Sequence, residues 1–162
     1  MHQHWEDFKV DPIFKFSDVI CLSETWLTND DKNENIQLAG YTLHLNSVGY
    51  GRGLATYYKQ EKFKHCDDVK QKFFQLTKLI SSDIDIISIY RSKECSEQEL
   101  IIQIKKLIEG DKPTIVCGDL NLCSIDENAN AVTKALEAIG FSETAQCATH
   151  IKGGHIDHMY FR

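Results

Sequence analysis

The 162-residue chain lacks several features that would narrow its class at once. No apolar run approaches the length needed to cross a bilayer, and the polar first ten residues lack the hydrophobic stretch of a secretory signal. The expectation is an intracellular protein with no membrane engagement and no protein partner implied. No Cys-x-x-Cys pair occurs among Cys21, Cys66, Cys95, Cys117, Cys123 and Cys147, which argues against tetrahedral zinc ligation. Cys21, Cys117 and Cys123 fall in or beside expected buried strands, so free buried thiols in a reducing compartment are expected. Positive charge is short as well: 18 Lys and Arg stand against 24 Asp and Glu, a net charge of −6 that is unfavourable for holding nucleic acid by electrostatics alone. No compact Lys/Arg run resembles a nuclear import signal, and no repeat, low-complexity tract or linker divides the chain.

What is present describes a single domain. At 42% hydrophobic and 26% charged residues, the chain can bury a real core. Residues 1–16, rich in His and aromatics and broken at Asp11-Pro12, form a distinct N-terminal extension in which Phe8, Ile13, Phe14 and Phe16 could make a short docking helix; the domain proper is expected over 17–162. Strands are expected near 18–23, 41–46, 53–60, 73–79, 84–90, 113–118 and 155–161. One helix opens at Ser96, with Glu99 completing a capping box and Leu100, Ile101, Ile104, Leu107 and Ile108 at helical spacing, and ends at Gly110. A second carries Val132, Ala135, Leu136 and Ile139 and closes at Gly140. Lys59, Lys62, Lys64, His65, Lys70 and Lys72 make a basic segment, read as a solvated hairpin interspersed with Glu61, Asp67 and Asp68. Hairpins alternating with single helices give an α/β fold with mixed pairing and helices outside the sheets.

Chemistry concentrates at strand ends. Ile115-Val116-Cys117-Gly118-Asp119-Leu120-Asn121-Leu122 is an apolar run ending in a glycine turn, and alternation along a strand puts Asp119 and Asn121 on one side. Asp18–Glu24 ends in Glu24, Ile86–Tyr90 in Tyr90, and Gly154–Tyr160 carries Asp157; Gly51–Tyr58 is a glycine turn feeding a strand. Singly, each has an ordinary reading: Gly, Asp and Asn are what turns require, Glu24 a solvated strand end, Tyr90 a rim tyrosine.

In this order, Ser23-Glu24-Thr25-Trp26-Leu27, Gly51-Arg52-Gly53-Leu54-Ala55-Thr56-Tyr57-Tyr58, Ile89-Tyr90-Arg91, Gly118-Asp119-Leu120-Asn121 and Ile156-Asp157-His158 resemble the endonuclease/exonuclease/phosphatase superfamily. Within it they resemble the AP-endonuclease-like branch carried by LINE-type retrotransposons and some rolling-circle transposons. The resemblance implies a four-layered α/β sandwich of two mixed, mainly antiparallel sheets. It also implies a phosphodiester hydrolase using Mg2+, with Mn2+ as substitute, DNA as substrate, and the nucleus as the working place of a mobile-element nuclease. By the same resemblance Glu24 is the metal ligand, Asp119 orients or deprotonates the attacking water, Asn121 holds the phosphate or the aspartate, Tyr90 touches the phosphate, and Asp157 orients a histidine.

Departures from the pattern accompany it. Arg91-Ser92 replaces the usual proline-containing continuation after Tyr90, no Asn lies upstream of Glu24, and no Ser-Asp-His motif follows Asp157. The expectation is therefore an incomplete sandwich lacking its first core strand and last catalytic strand, and a weak or inactive enzyme. His158 neighbours Asp157 but points to the opposite face; His155 shares the face of Asp157 and is the better substitute, against the plainer reading of a surface histidine. Two alternatives stand beside the nuclease: a catalytically dead remnant that at most binds, and a phosphoinositide or lipid phosphoesterase of the same superfamily.

Overall fold

The structure is a computed structural model that describes residues 10–27, 36–49, 52–122, 130–144, 149 and 155–162. Its first element is a short helix, α1 (Pro12–Phe16), in which Asp11 accepts the Ile13 N–H at 2.9 Å and Pro12 starts the first turn, where a missing N–H costs nothing. The Tyr41 hydroxyl ties this helix down by donating to the carbonyls of Phe14, at 2.6 Å, and Ser17.

Two sheets follow. The smaller has β1 (Val19–Ser23), β2 (Thr42–Asn46) and β3 (Leu54–Tyr58) in the order β1-β3-β2, all antiparallel. The larger has β4 (Lys64–Lys70), β5 (Phe74–Ile80), β6 (Asp85–Arg91), β7 (Thr114–Asp119), β8 (Ser142–Glu143) and β9 (Asp157–Phe161) in the order β4-β5-β6-β7-β9-β8. Among the described strands only β6 and β7 run parallel, and α2 (Glu97–Leu107) lies in the crossover that a parallel pair requires. A last helix, α3 (Ala131–Glu137), lies beside α2.

Alternation along the strands sorts the layers. Leu76, Ile87, Ile89, Val116 and Tyr160 of the large sheet meet Leu100, Ile104 and Leu107 of α2 and Val132 and Leu136 of α3 in the main core. Each such aliphatic side chain contributes about 1.5–3 kcal/mol of burial. On the outer face of the small sheet, Ile20, Ala55 and Tyr57 pack with Leu22, Leu43 and Leu45 under Phe14, Leu27, Ile36 and Leu38. The result is the four-layered α/β sandwich with helices outside.

Between the sheets the seam is mixed: Tyr58, Phe63 and Leu79 pack with Val19, Ile84 and Ile86, and polar side chains pair beside them. The Thr56 and Ser88 hydroxyls pair at 3.3 Å, and the Asn46 carboxamide donates across the gap to the Leu76 carbonyl at 2.8 Å and the Thr77 hydroxyl at 3.2 Å.

Several sequence expectations need correction. The segment read as a solvated hairpin contains β4, paired along its length with β5, and Lys59 and Lys62 close on Asp18 at 2.9 and 2.7 Å. Ser96 occupies the N-cap of α2 without a side-chain bond, so the capping box does not form; the neighbouring Glu97 accepts the Ala131 N–H at the start of α3. The helix ends at Leu107, short of Gly110. Gly140 does close the second helix, at φ +89°, with Gly140 N–H bonded to Glu137 and Phe141 N–H to Leu136. Cys21 and Cys117 are partly exposed, facing a cleft between the sheets, and Cys66 is exposed, whereas Cys95 is buried. Phe8, Cys123 and Cys147 lie outside the described residues.

Candidate active site

Three adjacent strands of the large sheet end at one place. Tyr90 is the cross-strand partner of Asp119 in the parallel β6–β7 pair, and Asp119 is the partner of Asp157 in β7–β9. Gly118 allows this closeness: at φ +138° its position suits only glycine, and a Cβ there would sit 2.0 Å from the Ile89 carbonyl oxygen of β6. Glu24 reaches the same place from the small sheet, just past Ser23 of β1, in a left-handed conformation at φ +50°. The Tyr90 hydroxyl spans the two sheets, donating to Glu24 Oε1 at 3.0 Å.

The electrostatics fit this crowding. Burial pushes the Asp119 carboxyl up to about 6, and the charges of Asp157 and Glu24 add to it against the Asn121 N–H, which donates to Asp119 Oδ1 at 2.8 Å. The Tyr90 hydroxyl is pushed up to about 12, first by burial and then by Glu24, so it stays a donor. Asp157 is exposed, and its N–H donates to the Thr149 hydroxyl at 3.0 Å. Beside these groups lies an open cleft of about 360 Å³ lined by Cys21, Ser23, Cys117, Gly118, Asp157 and Met159 among others.

The loop carrying Asp119 and Asn121 is gripped from behind. Asn121, at φ +48°, donates its carboxamide to the Arg91 carbonyl at 2.8 Å. The buried Arg91 guanidinium donates to the carbonyls of Leu120, at 3.0 Å, and Cys95, at 2.7 Å. The residue that departs from the expected continuation after Tyr90 is thus a backbone anchor. His158 Nε2 donates to the Leu122 carbonyl at 2.9 Å, and its Nδ1 lies 2.6 Å from Glu143 Oε1. Arg91, His158 and Glu143 escape a reading based on motif positions; the available signal was a charged or polar residue on the buried face of a strand, which demands a partner.

Asp157 and His158 do face opposite ways, one exposed and one buried. His155 departs from expectation: it precedes the strand, where alternation no longer applies, and it is buried, stacking on His158 with ring centroids 4.4 Å apart.

A hard divalent cation suits the donors at this end. Glu24 offers carboxylate oxygens at the exposed mouth, and the negative charges of Asp157 and Glu24, which add to the burial that raises Asp119, are what such an ion offsets. The two groups of three ligand atoms within 4.8 Å of one another among the described residues, His44/His65/Asp68 and Glu143/His155/His158, lie apart from Glu24.

The family described as Endonuclease/Exonuclease/phosphatase matches residues 6–162. The chain belongs to this family. Solved structures of endonuclease/exonuclease/phosphatase proteins share the fold at low identity. The human Nocturnin catalytic domain, determined with bound sulfate, superposes with a TM-score of 0.67 at 14% identity over 99% of this chain and 75% of that one. The endonuclease domain of TRAS1, a telomere-specific non-LTR retrotransposon, gives 0.66 at 11% identity over 91% and 73%. An AP endonuclease from Archaeoglobus fulgidus gives 0.66 at 16% identity over 92% and 77%. A search of curated proteins finds no match. The family consists of hydrolytic nucleases and phosphatases, and the AP-endonuclease-like and retrotransposon members are among the structures this chain resembles.

Proposed function

We propose that the chain is a Mg2+-dependent phosphodiester hydrolase acting on DNA, a nuclease of mobile-element origin working in the nucleus. The observation that carries this reading is the meeting of Glu24, Tyr90, Asp119 and Asp157 at one end of the paired sheets, with Asp119 pushed up to about 6. A divalent cation, held by Glu24, supplies charge neutralisation and Lewis acidity to a phosphodiester when bound. Asp119 is the base: near neutrality its carboxylate takes a proton from a water aligned for attack, and its raised affinity for protons makes that transfer more favourable. The Asn121 N–H fixes the carboxylate's orientation, and Arg91 and His158 hold the loop on which both sit. Tyr90 directs Glu24 in the free site, and its single O–H passes to a non-bridging phosphate oxygen when a substrate takes the place of that bond.

A second reading, a silent domain that binds without cleaving, is favoured by where the nearby histidines sit, His158 turned away from Asp157 onto Glu143 and His155 stacked on His158. Nicking of supercoiled plasmid, with Mg2+ or Mn2+ against a chelator, separates the two. The hydrolase reading expects metal-dependent nicking that is slow in the native chain and lost in Asp119→Asn and Glu24→Gln. Equal nicking by native and Asp119→Asn protein would sink it. Retention of plasmid in a gel-shift assay with no nicking supports the silent domain, and phosphate release from phosphoinositide with none from DNA moves the substrate to lipid.

A further inference from the structure

At the opposite edge of the sandwich, β2 of the small sheet lies against β4 of the large one, and three ligating side chains meet there. His44 Nε2 is 2.8 Å from Asp68 Oδ2, His65 Nε2 is 3.3 Å from Asp68 Oδ1, and the two imidazoles stack with centroids 3.9 Å apart. All three ligand atoms lie within 4.8 Å of one another.

The backbone is shaped to allow this. Along a regular strand, residues three apart face opposite ways, so His65 and Asp68 of β4 would point apart. The β4–β5 register instead slips between His65 and Asp67, His65 pairing with Leu79 and Asp67 with Lys78, so that Cys66 is an extra residue. A bulge of this kind re-aims side chains, and here it returns His65 to the side of Asp68, facing His44 across the seam.

The carboxylate is also oriented from behind. Asp68 Oδ1 accepts the Thr77 hydroxyl at 2.9 Å and the Asn46 carboxamide at 3.2 Å, the outer hydrogen bonding that fixes metal-ligating carboxylates. His65 is exposed and leaves a path for an ion to enter.

We propose that His44, His65 and Asp68 form a binding site for a borderline divalent transition metal of the zinc class, with water completing a tetrahedral set. Two imidazoles and one carboxylate suit Zn2+ and Co2+ and are ill-suited to Mg2+, which prefers an all-oxygen octahedron. The site is separate from the hydrolytic one and does not depend on its assignment. Binding turns the exposed His65 ring about its Cβ–Cγ bond out of its stack on His44, so that both Nε2 atoms address one ion. An ion there staples the outer strands of the two sheets together.

Cobalt serves as the probe. Titration of the full chain with Co2+ is expected to give one equivalent of visible ligand-field absorption of tetrahedral intensity, displaced by Zn2+ and indifferent to excess Mg2+. His65→Ala, at an exposed position that leaves the circular dichroism spectrum unchanged, weakens binding by about tenfold or more, and His44→Ala does the same. Glu143→Gln, which dismantles the other His/Glu group, leaves the spectrum intact. The proposal is overturned by absence of the band, by a band that survives both histidine substitutions, or by a band that disappears in Glu143→Gln.

Discussion

Replacing Asp119 with Asn tests the electrostatics of the site without relying on turnover. Asparagine has the same shape and keeps an oxygen to accept the Asn121 N–H, so the loop hydrogen bonding survives. What it removes is a buried carboxylate whose pKa rises from 3.8 to about 6 on folding. Below pH 3.8 such a group is neutral in both states and costs the fold least; as pH rises the unfolded chain ionises first, and above about 6 the fold carries the full penalty of the buried charge, which the neutral asparagine escapes. The shift is worth about 3 kcal/mol. Native protein is therefore expected to lose that stability between about pH 4 and 6 relative to Asp119→Asn, and the variant should melt about 6–12 °C higher at pH 7 to 8. Paired thermal melts followed by circular dichroism across this range measure the gap directly. Magnesium should narrow it at pH 8, because a bound cation relieves the same repulsion. If the variant is no more stable than native protein at pH 8, or the difference is the same at pH 4, then Asp119 is not the strained carboxylate described above.

Three other substitutions probe neighbouring parts of the site. Gly118→Ala combines a left-handed backbone with a Cβ 2.0 Å from the Ile89 carbonyl, and should cost about 3 kcal/mol or more in urea unfolding. Tyr90→Phe removes only the hydroxyl that reaches Glu24; stability should change by about 1 kcal/mol or less, while plasmid nicking falls about a hundredfold. His158→Ala leaves the Leu122 carbonyl without its donor and Glu143 with the longer contact to His155 at 3.6 Å, and equilibrium unfolding should register a loss of about 2–3 kcal/mol.

Much of this architecture is legible in the sequence, because apolar alternation and glycine turns are local signals. Val116, Ile87 and Ile89 mark their strands by composition alone, and Gly140 marks a helix end by the conformation it alone tolerates cheaply. The polar strand ends were legible too: Tyr90 and Asp119 stand at the ends of β6 and β7 and Asp157 opens the antiparallel β9, so pairing brings the three to one end of the sheet. β4 was hidden because its side chains are mostly polar or charged and its one-residue bulge breaks the period of two. β8, with two residues, carries too little pattern to register. The gripping of the loop by Arg91 and His158 was not legible, since a buried cation or imidazole reads locally as a surface residue until the carbonyls it serves are known. His155 failed for a related reason: alternation was extended one turn beyond the strand that enforces it.

The hydrogen bonds that cross between the sheets bear on the proposed site. Glu24 lies just past a strand of one sheet and Asp119 in the other, so the spacing between the proposed metal ligand and the proposed base is set by how two separate slabs are seated. A greasy contact would tolerate sliding, since apolar surfaces gain nearly as much in one offset as in the next. Asn46, Thr56, Thr77 and Ser88 replace that tolerance with directional bonds that fit a single offset, so loosening them should blur the reacting geometry without dissolving either slab.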